Sequence, residues 1–392
     1  MFNLARNVYL MTLMMSLSFT STSMMVLVAG LLGAAIAPSP ELATLPIAIM
    51  VIGTASATIP AAMLMQKVGR KAGMAAGLCI AILGTTLAYH AAIIGNFTLF
   101  LIGSLCLGFN AAFTQQGRFV IMENSDSPQK AADGLSLALM ANLFAAVVGP
   151  QIGAYGKDLI QSPAGFAGSF LLAGLFLILA LLVLGMFQNK EIITTEESHE
   201  KRSIRTIVKH PTFIIAACSA AIGYGVMALV MTATPISMHQ MNGLSLSQTT
   251  LVIQSHIVAM FLPSMLSSML LKRGLRISLL VLGLSLFLLV AIIGLSGITF
   301  WHYWFALVAL GLGWNLIFLT STTILPESYS EDEKYQAQAV NDFLIFSTQA
   351  IAAFGAGWLV FNLGWSSILW IALIASSLWL PMILVLNGKR NC

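Results

Sequence analysis

The sequence predicts an all-α membrane protein with twelve transmembrane helices in two pseudo-symmetric bundles of six. Three observations support this prediction: the composition, the lengths of the apolar segments, and a pattern repeated in the two halves of the chain. Of the 392 residues, 58% are hydrophobic and only 8% are Asp, Glu, Lys or Arg, against about 25% in a typical soluble domain. So few charges cannot cover a water-soluble fold of this length, and we expect the surface to face lipid.

Charged residues divide the chain into apolar segments whose lengths give the number of helices. A membrane helix needs about 20 predominantly apolar residues. Four segments have room for one helix, and four have room for two, with a polar or glycine break between the two. The predicted spans 1 to 12 are residues 8–37, 42–65, 73–94, 97–122, 133–156, 165–187, 212–237, 248–271, 277–296, 300–325, 336–361 and 366–387. Span 1 is too long for the apolar region of a signal peptide, and we expect it to be retained.

The basic residues lie on one side of this predicted topology. With twelve spans, the loops and helix ends on the side of the two termini carry all of the 18 Lys and Arg residues except Lys157. Cytoplasmic loops of membrane proteins are enriched in Lys and Arg. We therefore expect both termini in the cytoplasm and the protein in the cytoplasmic membrane. A different helix count would scatter these charges over both sides.

A hydrophilic segment near the middle of the chain predicts the domain organisation. We expect an N-terminal six-helix bundle at residues 1–187, a cytoplasmic linker at 188–210 and a C-terminal six-helix bundle at 211–392. The linker is the longest hydrophilic stretch of the sequence and carries charges of both signs.

The two predicted bundles share a local pattern in spans 4 and 10. The segment 107–110, Leu-Gly-Phe-Asn, is matched by Leu-Gly-Trp-Asn at 312–315, which lies 205 residues later. A Glu/Lys pair seven residues apart follows each segment; the pairs are Glu123 with Lys130 and Glu327 with Lys334. This recurrence indicates an internal duplication. Duplicated halves with a binding site between them are one way in which secondary transporters are built.

The loop between spans 2 and 3 carries a basic motif that ends in Gly69, Arg70 and Lys71, with Lys67 just before it. With the twelve spans, the central linker and the duplicated halves, this motif resembles the major facilitator superfamily, whose signature here is Gly-x-x-x-Asp-Arg-x-Gly-Arg-Arg/Lys. Gln66 replaces the Asp of that signature. The resemblance implies a transporter fold in which this loop forms a charge cluster that controls closure of the cytoplasmic face. Topogenic positive charge is the simpler role for the same residues.

Span 5 carries Gly149, Pro150 and Gly153, which match the family's antiporter-type signature Gly-x-x-x-Gly-Pro-x-x-Gly-Gly, whereas Ala145 and Ala154 replace two of its glycines. The resemblance implies a slight preference for export. A small-residue packing face with a proline kink is the alternative. The residues expected to take part in gating are Lys67, Gly69, Arg70, Lys71, Arg118, Glu123, Gly149 and Pro150.

The resemblance also implies that spans 1, 4, 7 and 10 line a central cavity. All four carry polar or aromatic residues well inside the span, where lipid offers no hydrogen-bond partner. The expected solute-binding residues are Thr22, Phe109, Asn110, Gln115, Tyr224, Trp314 and Asn315. Aromatic walls with amide groups suit an uncharged or weakly charged organic solute with a flat ring. Hydrogen bonding between helices is the alternative role for each polar residue.

His256, in span 8, is the deepest titratable residue of the predicted spans. Histidine has an ordinary pKa of about 6.5, which suits proton exchange, and span 1 holds no acid. We therefore predict that His256 carries proton coupling if the carrier is proton-driven. A hydrogen-bonded packing histidine is the alternative.

These features predict a secondary active transporter that moves a small organic solute by alternating access, with a slight preference for export. Import or facilitated passage of a nutrient or vitamin-like solute is the alternative within transporters. A membrane-embedded enzyme and a non-transporting receptor are the alternatives of other classes, although the spans hold no cluster of catalytic residues. The sequence contains no Walker-type motif for ATP hydrolysis. We expect a monomer with no cofactor, metal or nucleic-acid partner.

Overall fold

The computed structural model of the chain describes residues 4–125, 128–188, 204–330 and 333–390. Within these ranges every regular element is helical, and there are fifteen α-helices. Most of the predicted linker lies outside the described residues. The predicted all-α membrane fold is confirmed, and each predicted span corresponds to one helix or to two consecutive helices.

The helices of the first half correspond to spans 1 to 6. They are α1 (Arg6–Ile36), α2 (Leu45–Val68), α3 (Arg70–Ile94), α4 (Phe97–Gln115) with α5 (Gly117–Glu123), α6 (Pro128–Gly156) and α7 (Ala167–Gly185). In the second half a short helix precedes spans 7 to 12. The helices there are α8 (Ile204–Val208), α9 (Pro211–Pro235), α10 (Leu246–Phe261) with α11 (Ser264–Lys272), α12 (Arg276–Ser296), α13 (Phe300–Ile324), α14 (Lys334–Asn362) and α15 (Trp365–Arg390). Within the described residues, ten segments are by themselves long and apolar enough to cross a membrane.

Two of the predicted spans are broken. Span 4 turns at Gln116, between α4 and α5, and span 8 turns at Leu262 and Pro263, between α10 and α11. Proline has no backbone N–H and disfavours a helical conformation of the residue before it. Pro263 lies at the second break, which the apolar character of the segment did not indicate, although Pro60, Pro150 and Pro381 lie within continuous helices.

Glycine ends α2 and α3 where the chain must reverse. Gly69 has φ of 85° and ψ of 160°, and Gly95 has φ of 69°. Residues with a β-carbon rarely adopt these conformations. The side chain of Asn96 then accepts a hydrogen bond from the backbone N–H of Leu99 and caps α4. The glycine of the basic loop motif is thus required by the backbone of the turn.

Helix packing divides the chain into two compact units. Unit 1 is drawn from Met1–Ile192 and His239–Gln254, and unit 2 from Ile193–Met238 and Ser255–Cys392. In unit 1, α1 packs against α6 and α7, and α4 packs against α2 and α3. In unit 2, α9 packs against α13, α14 and α15, and α12 packs against α13 and α15.

Large apolar side chains remain exposed on both units. Examples are Leu182, Phe343 and Ile351, which are 63%, 70% and 73% exposed. Exposed apolar surface on this scale is unfavourable in water, and it is what contact with lipid requires. The burial pattern therefore agrees with a chain whose helices cross a membrane.

Candidate functional site

An aromatic cluster lies inside unit 2, and it consists of Tyr224 from α9, Phe261 from α10, and Trp314 and Phe318 from α13. The rings of Trp314 and Phe318 are stacked, with centroids 4.9 Å apart and planes at 12°. Tyr224 meets both rings edge-on, at 5.2 Å from Trp314 and 5.8 Å from Phe318. Phe261 meets Trp314 edge-on at 6.3 Å. These separations are those of favourable aromatic pairs.

The sequence of α13 places this cluster. Trp314 and Phe318 are four residues apart and therefore lie on the same side of the helix. A β-carbon at Gly311 would come within 2.5 Å of the carbonyl oxygen of His256, so this glycine allows α10 to approach α13 closely. On α9, a β-carbon at Gly223 would lie 2.9 Å from Ile317 of α13. The glycines bring α9 and α10 close enough for their aromatic residues to meet Trp314.

The indole N–H of Trp314 has no hydrogen-bond partner among the described residues, although the side chain is only 5% exposed. Trp304 and Trp379 instead donate to the hydroxyls of Ser255 and Ser219, each at 2.9 Å. The N–H of Trp365 also lacks an acceptor, but that residue packs against Tyr303, at the other end of α13. A buried donor without an acceptor is costly, and the N–H of Trp314 is such a donor.

A polar network lies in unit 1 between α1 and α4. The side-chain amide of Asn110 donates to the hydroxyl of Ser18 at 2.9 Å, and Ser18 shares a hydrogen bond of 3.1 Å with Thr114. Asn110 is 2% exposed, and its Oδ1 atom has no partner among the described residues. This acceptor is the available polar atom of the network.

Asn315 is the counterpart of Asn110 in the repeat, and both polar atoms of its side-chain amide form hydrogen bonds within unit 2. Its Nδ2 atom donates to the carbonyl of Met260 at 2.7 Å and to the hydroxyl of Ser264 at 2.8 Å. Its Oδ1 atom accepts from the hydroxyl of Ser267 at 2.7 Å. All of these partners flank the break at Pro263, so the Asn315 amide supplies hydrogen bonds that the interrupted helix lacks.

The other expected solute-binding residues lie on the same helices with fewer contacts. Thr22 and Phe109 are half-buried on α1 and α4, and Gln115 is exposed at the last residue of α4. The structure thus brings Tyr224 and Trp314 into one cluster. Asn110 lies in a separate network in unit 1.

His256 is completely buried in unit 2. Its Nδ1 atom lies 2.9 Å from the carbonyl oxygen of Leu307 and donates to it, since a carbonyl can only accept. Its Nε2 atom has no partner among the described residues. The geometry fixes the ring against α13 and leaves one nitrogen for a proton.

Two residues of the basic loop, Arg70 and Lys71, have contacts within unit 1. Lys71 donates to the carbonyls of Gly185 and Phe187, at 2.7 and 2.6 Å, and so caps the carboxyl end of α7. Arg70 lies 3.9 Å from the sulfur of Met65. Lys67 and Arg118 are exposed, and the side chain of Glu123 lies outside the described part of the chain. In unit 2, Arg276 forms a salt bridge with Glu327.

The glycines of α6 lie where α1 approaches most closely. A β-carbon at Gly149 would come within 2.5 Å of Ser23 and 2.8 Å of the carbonyl of Thr20. A β-carbon at Gly153 would lie 2.9 Å from Val28. Pro150 is buried beside them. Close packing of α1 against α6 is one role of the glycines of this motif.

Sequence reasoning missed Phe261 and Phe318 in the aromatic cluster, and Ser18 and Thr114 in the polar network. Phe318 follows Trp314 by four residues, and that spacing was a usable signal. Ser18 is one of several hydroxyl residues in span 1, and its neighbours Thr20 and Ser21 donate to carbonyls of their own helix. Nothing in the sequence distinguishes Ser18 from them.

The fold and these buried sites define a polytopic helical membrane protein of the transporter class. The family model of the Major Facilitator Superfamily matches residues 9–346. The chain belongs to the Major Facilitator Superfamily and is a multi-pass membrane transporter of a small solute. The expected family is thereby confirmed.

Individual relatives show how far the similarity extends. The chain is 34% identical over 387 residues to the riboflavin transporter RfnT of Brucella anthropi, covering 98% of this chain and 96% of the relative. It is 27% identical over 364 residues to the uncharacterised transporter YddS of Bacillus subtilis, covering 88% and 83%. A bacterial homologue of the human lysosomal transporter Spinster has the same fold, with a TM-score of 0.67 over 97% of this chain and 95% of that chain at 13% identity. An autoinhibited peptide transporter of the POT family gives 0.72 over 99% and 97% at 10% identity.

Proposed function

We propose that this protein is a secondary transporter for an uncharged, flat heteroaromatic solute of the vitamin class, with riboflavin as the leading candidate. The solute ring binds at the aromatic cluster of Tyr224, Phe261, Trp314 and Phe318. The observation that carries this proposal is the buried indole N–H of Trp314, which lacks a protein acceptor in the middle of that cluster.

The chemistry of the cluster supports a flat ring with hydrogen-bond acceptors. Aromatic side chains bind planar rings by stacked and edge-on contacts, and binding pockets combine apolar walls with a few placed polar groups. Trp314 supplies one donor, which a ring carbonyl or ring nitrogen accepts. The isoalloxazine ring of riboflavin has both features.

The relative from Brucella anthropi supports the same solute class, since it carries the name riboflavin transporter and matches this chain over nearly its whole length. This similarity favours the vitamin-like solute that the sequence left as an alternative. Asn315 takes a packing role in the proposal because its amide is fully used at the helix break. Asn110, in unit 1, keeps a side-chain oxygen without a partner among the described residues.

We propose uptake as the direction of transport. The slight preference for export rested on the motif in α6, and close packing of Gly149 and Gly153 against α1 explains that motif. Expression in a riboflavin-auxotrophic bacterium is expected to lower the riboflavin concentration needed for growth. A raised requirement indicates export and contradicts this direction.

Thermal unfolding of purified protein tests the solute and its site together. At about 100 times its Kd, a ligand stabilises the folded state by about 2.7 kcal/mol. Riboflavin is therefore expected to raise the unfolding temperature of the wild type and of Trp304→Ala, but not of Trp314→Ala. Trp304 lies on the same helix outside the cluster, and its indole donates to Ser255.

Two results contradict the proposal in different ways. If riboflavin leaves the wild type unchanged while another solute stabilises it, the solute is wrong. If riboflavin stabilises Trp314→Ala as much as the wild type, the site is wrong.

A further inference from the structure

The three helices that form the aromatic cluster carry no formal charge. Between Pro211 and Pro235 in α9, Leu246 and Phe261 in α10, and Phe300 and Ile324 in α13, the sequence contains no Asp, Glu, Lys or Arg. The histidines of these helices are His256 and His302. From these three helices, a solute at the cluster meets aromatic rings, one indole N–H and neutral polar groups, and none of these neutralises an anion.

Neither histidine is placed to act as a cation for a solute at the cluster. His256 precedes Phe261 by five residues on α10, and so its side chain points about 140° away around the helix. It is completely buried, with Nδ1 held by the Leu307 carbonyl. His302 lies in the first turn of α13, twelve residues before Trp314, where its Nδ1 is 2.7 Å from the hydroxyl of Thr299.

Helix ends do not supply the missing positive charge. Trp314 and Tyr224 lie in the middle of α13 and α9, whereas the helix dipole acts within the first turn. At the break after Phe261, two residues separate the carboxyl end of α10 from the amino end of α11. These two helix ends carry opposite partial charges, which oppose each other. The amide of Asn315 donates to the carbonyl of Met260 and to the hydroxyl of Ser264 at that break.

The neighbouring helix α14 carries a base, Lys334, and an acid, Asp342, in its amino-terminal part. Helix α14 packs along α9, and Thr348 of α14 would lie 2.8 Å from a β-carbon at Gly225, next to Tyr224. Asp342 precedes Thr348 by six residues, or about 9 Å along the helix. Its carboxylate accepts a hydrogen bond from Asn341.

We propose that the aromatic cluster selects the uncharged flavin and excludes its phosphate monoester. The selection rests on the proposed function and specifies the solute class of the same site. Proteins bind phosphate through Arg, Lys or helix amino ends, and burying an unpaired charge is strongly unfavourable. The hydroxylated chain of riboflavin carries no such charge, so the dephosphorylated vitamin binds and the phosphate ester does not.

Competition for binding of labelled riboflavin to purified protein in nanodiscs tests this selection. Unlabelled riboflavin and lumiflavin, which has the ring without the hydroxylated chain, are expected to compete at similar concentrations. Riboflavin 5′-phosphate is expected to need at least about 100-fold more. Competition by the phosphate ester within threefold of riboflavin overturns the selection and leaves the proposed function intact. Absence of riboflavin binding overturns the proposed function and the selection together.

A charge introduced about two helical turns from Trp314 tests the cause of the selection. Ser321 lies seven residues after Trp314, on the same face of α13, and its buried hydroxyl has no partner among the described residues. Ser321→Lys is expected to improve competition by riboflavin 5′-phosphate at least tenfold relative to riboflavin. The matched control is Thr322→Lys, because Thr322 is exposed on another face of the same turn. If competition by riboflavin 5′-phosphate changes equally in the two variants, or in neither, the proposed cause is contradicted. If Ser321→Lys does not fold, the competition experiment on the wild type is the test.

Discussion

At the residue scale, Trp314 combines stacking with a hydrogen-bond donor, and one substitution separates the two. Trp314→Phe keeps an aromatic ring beside Phe318 and removes the N–H. Loss of one hydrogen bond to a ring acceptor is expected to weaken riboflavin binding about tenfold. Titration of purified protein by calorimetry measures this change.

Trp304→Phe is the matched control, since it removes an indole donor that bonds to Ser255. Riboflavin affinity is expected to stay within about twofold of the wild type in this variant, because Trp304 lies outside the aromatic cluster. If riboflavin binding is weakened equally in both variants, the N–H of Trp314 has no specific role in binding.

A substitution of His256 distinguishes a role in proton coupling from a role in packing. His256→Gln keeps a donor for the carbonyl of Leu307 but cannot carry a proton. In proteoliposomes we expect this variant to exchange riboflavin across the membrane without accumulating it in response to a proton gradient. If the gradient still drives accumulation to the wild-type level, His256 has no coupling role.

Part of the site could be predicted residue by residue. Trp314 and Tyr224 stood out as polar aromatic residues deep in apolar helices, and both lie in the cluster. Phe261 and Phe318 could not be chosen, because a phenylalanine in a membrane helix is equally suited to lipid and to a binding site. The hydrogen bonds of Asn315 depend on the break in span 8. The sequence of span 10 does not indicate that break.

At the element scale, the hydrogen bonds of Asn315 hold α10 and α11 against α13. Asn315→Ala leaves the carbonyl of Met260 and the hydroxyls of Ser264 and Ser267 without this partner. We expect a loss of about 1–3 kcal/mol of folding free energy, measured as a lowered unfolding temperature in detergent.

Asn362→Ala is the control at this scale. Asn362 is exposed at the end of α14 and donates only to a carbonyl of its own helix, so a change within about 0.5 kcal/mol is expected. An Asn315→Ala variant as stable as this control shows that the break at Pro263 does not depend on the amide.

The repeat predicted matched helices, and its two asparagines have different partners. Asn110 bonds to Ser18 of α1, whereas Asn315 bonds to residues around Pro263. Span 8 is broken at Pro263, whereas span 2, its counterpart in the repeat, is one continuous helix, α2, although it contains Pro60. Helix positions could be predicted because hydropathy and charge set them. Side-chain partners could not, because they depend on which carbonyls the neighbouring helix leaves free.

At the scale of the whole molecule, the distribution of basic residues predicts the orientation in the membrane. Asp158, next to Lys157 in the turn after α6, and Arg273, in the turn after α11, are both exposed. In a background without the four natural cysteines, Asp158→Cys is expected to react with an impermeant maleimide from outside intact cells. Arg273→Cys is expected to react only after permeabilisation. The reverse pattern places both termini outside.

The twelve-span fold could be predicted because lipid requires long apolar segments and charges mark their ends. The division into two compact units could not be predicted in the same detail. Residues 239–254, which include the start of span 8, group with unit 1, although we predicted them as part of the C-terminal bundle. That grouping depends on contacts made after folding, and hydropathy carries no information about it.

The central claim is that the ring of a neutral flavin binds directly against the aromatic cluster of unit 2. Riboflavin is fluorescent, and electron transfer from a stacked indole or phenol quenches it. The most direct measurement is riboflavin fluorescence during titration with protein, with binding followed in parallel by equilibrium dialysis. We predict strong quenching of bound riboflavin by the wild type and recovery of most of the fluorescence per bound molecule in Trp314→Leu. Riboflavin that binds without quenching, or quenching that is unchanged in Trp314→Leu, would contradict the claim.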